Sequence, residues 1–246
     1  MRRPRRLRRM SADDPRRQLR GAVFRGDATV VVAVLERIEP RDCLQLGGDG
    51  LLVALDHDAD GAVALATRWA AALRERSWDG DTELAAQLAA RLGLAPTPML
   101  RALPVDLDQL ADVLEGDLIT GGGRVDLQTG EVWPQSAIDD PDQMREHSDD
   151  ELDPRRWLPV ESAGSRPGYR DMQEFIAALP EAGDRDRLTV AIQGRGAFRR
   201  FRDVLSRWPE QFARWQAFGD ERQRGRARAW LAEAGFRPVS GMPSSP

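Results

Sequence analysis

The sequence contains no lysine: all 36 basic residues of the 246-residue chain are arginine. Lysine supplies the amine for Schiff-base catalysis and the phosphate-binding side chain of the Walker-type loop. The sequence therefore excludes both of these enzyme classes. An excess of arginine, together with much alanine and glycine, is typical of a GC-rich genome and does not by itself indicate a function.

Cysteine and histidine are almost as scarce, with Cys43 alone and only His57 and His147. One cysteine cannot form an intrachain disulfide or a thiolate zinc cluster, and Cys43 fits a small buried hydrophobe. Neither histidine stands in a Ser-His-Asp or Cys-His setting. Residues 56–61 imitate the start of a calcium-binding loop, but Thr67 stands where the bidentate glutamate belongs. We expect no cofactor and no metal site.

Long apolar runs are also absent. No stretch approaches the ~18 residues that a membrane-spanning helix needs, and the Arg-rich start lacks the apolar segment of a secretory signal. We expect a cytoplasmic protein with no membrane partner. Residues 1–13 are predicted to be a disordered basic leader, with Met10 as an alternative translation start. The hydrophobic fraction of 41% supports a packed core, and the net charge of −4 implies no particular partner.

Residues 14–93 show helical patterning almost throughout. Val31, Val34, Leu35 and Ile38 share one helical face, although the β-branched run around them could also pass for a buried strand. Further helices are predicted over Leu51–Leu55, over Ala62–Leu73, and from a cap at Asp81 or Thr82 to Leu92. The N-terminal domain is therefore expected to be all-helical, and the proline-bearing segment 94–104 is expected to be a linker.

After residue 104 the helical patterning gives way to mixed helix and strand patterns, and residues 105–236 are predicted to form an α+β domain. A short helix over Asp106–Glu115 precedes a β-hairpin with strands at 124–128 and 131–133, because the two strands flank a glycine-bearing turn. Residues 156–160 contain a proline and fit an edge strand. Four helices follow, with Ser165 as the cap of the first and Pro209 at the start of the last.

The fold class is thus mostly helical α+β, with a small antiparallel sheet covered by C-terminal helices. An acidic loop over 139–154 lies inside the second domain, and 237–246 is predicted to be a disordered tail. Charge is segregated along the chain. From Pro104 to Asp153 there are fifteen acidic residues and two arginines, whereas from Asp184 to Arg237 there are thirteen arginines and seven acidic residues. Intramolecular docking, separate partner surfaces and ordinary solvated faces all fit this pattern.

Several segments of the second domain form a specific pattern. They are Gly168-Tyr-Arg-Asp-Met172, Gly194-Arg-Gly-Ala-Phe-Arg-Arg-Phe201, Arg226-Ala-Arg-Ala-Trp-Leu231, Val105-Asp-Leu107 and Asp126-Leu-Gln-Thr-Gly130. With this pattern the chain resembles the bacterial uncharacterised protein family 0158 over about residues 104–236. The resemblance implies relatedness only, because the family brings no established activity and no catalytic residues.

The sharpest site candidate is an anion or nucleic-acid contact at the start of a helix. Gly194 and Gly196 precede the helix, and Arg195, Arg199 and Arg200 surround its first turn, where unpaired backbone amides and arginine both favour phosphate. The alternative is a tight turn between two helices with the arginines in solvent. Arginines of the last helix extend the candidate set through Arg226. Arg222 and Arg226 share one helical face and Arg224 and Arg228 another, where salt bridges to nearby acids are the competing interpretation.

We therefore predict a non-enzymatic binding or regulatory module whose Arg-rich helical surface contacts a protein or a nucleic acid. RNA is favoured over duplex DNA because no recognition-helix motif is present. The alternative is a metal-assisted hydrolase using the carboxylates Asp106, Asp108, Asp126 and Glu131 near the hairpin. Helix capping and hairpin formation explain the same carboxylates, and no residue is assigned as catalytic.

Overall fold

The computed structural model describes residues 14–117, 119, 121–139 and 153–239. The predicted leader, most of the acidic loop over 139–154 and residues 240–246 of the predicted tail lie outside these ranges. The architecture is α+β, as predicted, with a three-stranded antiparallel sheet and a separate parallel strand pair. Within the described ranges, no helix is both long and apolar enough to cross a membrane.

The first part of the described chain is helical, as predicted. Its elements are α1 (Pro15–Arg25), α2 (Ala28–Leu35), a 3-10 turn (Pro40–Asp42), α3 (Leu44–Asp56), α4 (Ala62–Arg76) and α5 (Asp81–Arg91). Val31 and Leu35 are fully buried, so the β-branched run forms the core face of a helix and not a strand. The predicted cap of α5 is wrong: Gly80 is the capping residue. The Asp81 carboxylate is instead bound to Arg76.

Helix α3 begins seven residues before the predicted Leu51–Leu55 segment, at Leu44, and it contains three glycines in its first two turns. Glycine lowers helix propensity by about 1 kcal/mol relative to alanine, and this hides the start of the helix in the sequence. A Cβ on Gly47 would lie 2.5 Å from Nε1 of Trp69, and one on Gly48 would lie 2.5 Å from Cδ2 of Leu84. The glycines let α3 pack closely against α4 and α5.

The sheet has the predicted hairpin and edge strand. The elements of this part are α6 (Leu107–Leu114), β2 (Gly123–Asp126), β3 (Val132–Pro134), α7 (Gln135–Ile138) and β4 (Trp157–Val160). Strand β2 is central and antiparallel to both neighbours, with Val125 opposite Val132 and Leu158. Buried Val125 and Val160 pack in one cluster with apolar residues of α6 and of the last helix. The sheet is therefore covered on this face by helices.

A parallel strand pair, β1 (Arg101–Leu103) with β5 (Phe236–Pro238), corrects two predicted boundaries. β1 lies in the predicted linker 94–104, and Arg237 and Pro238 lie in the predicted tail. A strand of three residues is too short for an alternation of apolar and polar residues to be recognised in the sequence. The two paired strands are also 135 positions apart (Arg101 to Phe236). The remaining boundaries of the two domains stay a prediction.

The C-terminal helices are α8 (Arg166–Ala177), α9 (Ala182–Ala191), α10 (Ala197–Leu205) and the 25-residue α11 (Pro209–Glu233). Ser165 is the capping position of α8, as predicted, but its side chain makes no cap hydrogen bond. Helix α11 joins the two parts of the molecule. Gly225 crosses the turn before α5 so closely that a Cβ there would overlap the carbonyl oxygen of Asp79.

Candidate nucleic-acid interface

The arginines of α11 fall on two faces, as the helical spacing predicts. On one face, Arg222 donates to Oδ1 of Asp171 at 3.0 Å, and Arg226 donates to Oδ2 of the same carboxylate at 2.8 Å. Arg226 also forms an ion pair with Glu115, which lies just after α6. Asp171 on α8 is almost fully buried, so these contacts fasten α8 and α6 to α11.

The other face of α11 carries a buried polar network that joins it to the N-terminal helices. Arg224 Nε donates to Oδ2 of Asp49 at 2.8 Å, and Arg228 is ion-paired with Oδ1 of the same aspartate. Arg224 also pairs with Asp108 of α6. Arg228 is 0% exposed, and its Nε donates to Oε1 of Gln45 at 2.9 Å. A fully buried guanidinium needs such partners because an unpaired buried charge is costly.

Glu221 extends this network and takes the place of a local helix cap. Its carboxylate accepts from the backbone N–H of Gln45 at 2.8 Å, in the first turn of α3, whose own Cys43 gives no side-chain cap. It also accepts from Nη1 of Arg76 at 2.9 Å. A carboxylate at a helix N-terminus is stabilised by the free amides and the helix dipole. We call Gln45, Asp49, Arg76, Asp81, Glu221, Arg224 and Arg228 the seam network.

The charged forms of Asp49 and Arg226 are favoured by the residues that bind them. Burial by itself would raise the pKa of Asp49, but the charges of Arg228 and Arg224 outweigh burial and hold it below its ordinary value. Burial likewise opposes the charge of Arg226, and its bonds to Asp171 and Glu115 raise its pKa above the ordinary value. Four arginines of α11 are thus paired with carboxylates within the protein: Arg222, Arg224, Arg226 and Arg228. Of the predicted site residues, Arg226 is the one placed away from the others, in these internal ion pairs.

The other predicted site residues lie together at the connection between α9 and α10. Gly194 and Gly196 have φ of 73° and 76°, which glycine adopts without strain, and Gly196 is the capping residue of α10. Arg200 reaches back over this turn: its Nε donates to the carbonyl of Ala191 at 3.0 Å, and its Nη2 donates to the carbonyl of Gly194 at 3.4 Å. Arg200 therefore organises the turn from within the protein.

The remaining arginines of this region point to solvent. Arg195, Arg199 and Arg202 are exposed, and their side chains form no ion pair among the residues that the structure describes. Phe198 lies between them in sequence and is 42% exposed, with its ring edge next to Gly168 of α8. Phe198 and Arg202 are one turn apart on α10 and so share a side of the helix. We call Arg195, Phe198, Arg199 and Arg202 the α10 surface.

The carboxylates of the hydrolase alternative have structural partners in most cases. Asp106 caps α6, accepting from the backbone N–H of Asp108 at 2.8 Å. Asp108 pairs with Arg224. Asp126 is 2% exposed and accepts from the backbone N–H of Gln128 at 2.7 Å in the hairpin turn. Glu131 is exposed. In residues 14–117, 119, 121–139 and 153–239, no three His, Cys, Asp or Glu side chains form a group that could hold a metal.

The part of the chain that carries the α10 surface has known relatives. Residues 125–242 match the model of an Uncharacterised protein family (UPF0158). This part of the chain therefore resembles that family. It is 29% identical over 147 residues to the UPF0158 protein PA5073 of Pseudomonas aeruginosa, covering 57% of this chain and 90% of the relative. No solved structure matches the chain. The UPF0158 region includes α10 and α11, whereas α1–α5 lie before it.

Sequence reasoning missed the seam network. Gln45, Asp49 and Glu221 stand far apart in the sequence, and none belongs to a recognisable motif. One signal was available: the glycines around Asp49 would be unfavourable in a helix unless another element lies against it. That signal predicts close packing, which the structure shows against α4 and α5, but it does not identify the arginines that bind Asp49.

Proposed function

We propose that this protein is a binding module that holds single-stranded nucleic acid, RNA in particular, on the α10 surface. The observation that carries the proposal is the exposed ring of Phe198 among arginines that have no carboxylate partner in the described structure. Proteins that bind single strands combine cationic side chains, which contact phosphates, with aromatic rings on which bases stack. Both kinds of group occur here within eight consecutive residues, 195–202.

The contrast with α11 supports this assignment. Arginines 222, 224, 226 and 228 are each bound to carboxylates, so their charge holds the fold together. From Arg185 to Arg207 the chain instead has seven arginines and two aspartates, and this excess of positive charge includes the α10 surface. Phosphate groups are the natural complement of such an excess. An acidic protein is the competing partner, and it would have no need of the exposed phenylalanine.

The test is fluorescence anisotropy with a labelled single-stranded RNA and a duplex DNA of equal length, each at several salt concentrations. We expect tighter binding to the RNA, weakening as salt rises. Each phosphate contact contributes about 0.7 to the slope of log K against log salt for a single strand. The double variant Arg195→Gln/Arg199→Gln should therefore lower that slope by about 1.4.

Arg37 and Arg74 provide the matched control, because both are exposed in the N-terminal part, in the turn after α2 and on α4 respectively. Their double change to Gln removes the same charge and should leave RNA binding unchanged. Phe198→Ala should cost about 1–3 kcal/mol of binding free energy if a base stacks on the ring. Equal losses in the two double variants would indicate a nonspecific charge effect and refute the assignment. If an acidic protein is recovered as the partner and its binding does not depend on RNA, the competing assignment of a protein-binding module would be favoured.

A further inference from the structure

A cleft of about 700 Å³ opens where the N-terminal helices meet the hairpin. The end of α1 and the second half of α3 form one wall, and residues 104–109 with the hairpin turn 130–133 form the other. Ligand sites are commonly found at such junctions, and the volume lies in the range of small-molecule and peptide pockets. The α10 surface does not contribute to this cleft.

The charges at the base of the cleft are already satisfied within the protein. Asp49 and Arg224 belong to the seam network, and Asp56 forms an ion pair with Arg91 of α5. These charged groups are therefore paired with other residues of the protein. The other residues that line the cleft therefore determine which ligand it can bind.

Two carboxylates on the hairpin side keep oxygens that can accept further hydrogen bonds. Asp106 uses Oδ1 for the amides of α6, at 2.8 and 3.3 Å, and Oδ2 has no hydrogen-bond donor among the described residues. Glu131 is exposed, and its side chain has no donor in the described ranges either. His57 on the opposite wall holds the carbonyl of Val53 through Nδ1, at 2.9 Å, which leaves Nε2 for another partner. Arg25 also lines the cleft.

Aromatic rings complete the cleft. Phe24 is 77% exposed at the end of α1 and lines the cleft, so its ring is accessible to a ligand there. Trp133 on β3 lines the hairpin wall. Aromatic faces and carboxylates together suit a planar cation, which stacks on the ring and donates to the oxygens.

We propose that this cleft binds an arginine side chain presented by a partner peptide. The guanidinium group donates to Glu131 and Asp106, and its plane or its aliphatic stem packs on Phe24. A single guanidinium fills a small part of 700 Å³, so the flanking peptide residues occupy the remainder. The site is independent of nucleic-acid binding at the α10 surface.

The test is isothermal titration calorimetry of the full chain with the blocked tripeptide acetyl-Gly-Arg-Gly-amide. We expect binding by this peptide and none by the same peptide with Gln in place of Arg. A charge-assisted hydrogen bond is worth about 1.5–3 kcal/mol, so Glu131→Gln should weaken binding by roughly tenfold or more. Phe24→Ala should weaken it about two- to fivefold, as expected for an exposed cation–π contact. Asp106→Asn keeps the cap of α6 and tests the second carboxylate without unfolding the helix.

Glu161→Gln is the matched control, because Glu161 is exposed, lies outside the cleft and has no side-chain partner in the described structure. It should bind the peptide as the natural protein does. Equal binding of the Arg and Gln peptides, or an unchanged affinity in Glu131→Gln, would overturn the proposal. Tighter binding of free agmatine than of the peptide would overturn the peptide source, because the flanking residues would then contribute nothing.

Discussion

Replacing Asp49 by alanine is expected to destabilise the protein more than any exposed charge change. Asp49 is 8% exposed, and it is the carboxylate shared by Arg224 and Arg228. Its loss would leave Arg228, which is 0% exposed, with Gln45 as its remaining side-chain partner in the described structure. Nη1 of Arg228 already lacks a hydrogen-bond partner among the described residues, so nothing there compensates for the lost anion.

The expected cost is about 3–5 kcal/mol of unfolding free energy, as found when one member of a buried ion pair is removed. An exposed pair gives the scale for comparison. Arg20 and Asp220 lie 3.1 Å apart with side chains 54% and 49% exposed, and such pairs contribute about 0.2–1 kcal/mol. Asp220→Ala should therefore cost less than about 1 kcal/mol. The difference between the two variants reflects burial rather than the number of ion pairs.

Urea unfolding followed by tryptophan fluorescence measures both variants under the same conditions. The double variant Asp49→Leu/Arg228→Met removes the fully buried cation together with its anion, and Arg224 keeps Asp108 as its carboxylate partner. It should therefore recover a large part of the stability lost in Asp49→Ala. A cost below about 1 kcal/mol for Asp49→Ala would refute the reasoning. So would a double variant less stable than Asp49→Ala, since the penalty would then come from packing and not from an uncompensated cation.

Two further predictions concern the contacts of α11 with the N-terminal part of the chain. Gly225→Ala places a methyl group against the carbonyl of Asp79 and should cost about 1–3 kcal/mol, whereas Gly219→Ala on the same helix meets no atom within 4 Å and should stabilise by up to about 1 kcal/mol. Thermal unfolding of the two variants distinguishes them, and equal shifts would contradict the close crossing. The pKa of Asp49 is lowered in the folded state, so its contribution to stability is present above the unfolded pKa of about 4 and is lost as pH falls through the folded value. The stability of the natural protein should thus fall more steeply than that of Asp49→Asn in acid, and parallel pH profiles would show that the carboxylate is not strongly paired.

Much of the fold could be predicted from the sequence because it rests on local patterns. Met172, Phe175 and Ile176 recur at helical spacing in α8, and all three are buried. The hairpin was predicted from its glycine-bearing turn, and Gly130 has φ of 80° there. Helix spacing alone separated the α11 arginines into their two faces. These features depend on residues within a few positions of one another.

The candidate site could be predicted only in part. The sequence predicts Arg195, Arg199 and Arg200 as one cluster at the start of a helix. It does not show which of them is exposed and which binds the backbone. The structure turns Arg200 inward onto backbone carbonyls and leaves the other two in solvent. The direction in which an arginine side chain points depends on which carbonyls and carboxylates surround it, and those groups come from other elements.

The sequence by itself determined the absence of lysine chemistry, the helical periodicity, the hairpin and the resemblance to UPF0158 over residues 125–242, because each depends on residue type and short-range spacing. Only the tertiary structure decided that Glu221 caps α3, 176 positions from Gln45, and that Asp49 is bound by two arginines of α11. Ion pairs between residues that are far apart in the sequence produce no regular spacing by which they could be predicted. They form because burial makes an unpaired charge costly, and burial exists only after the chain has folded.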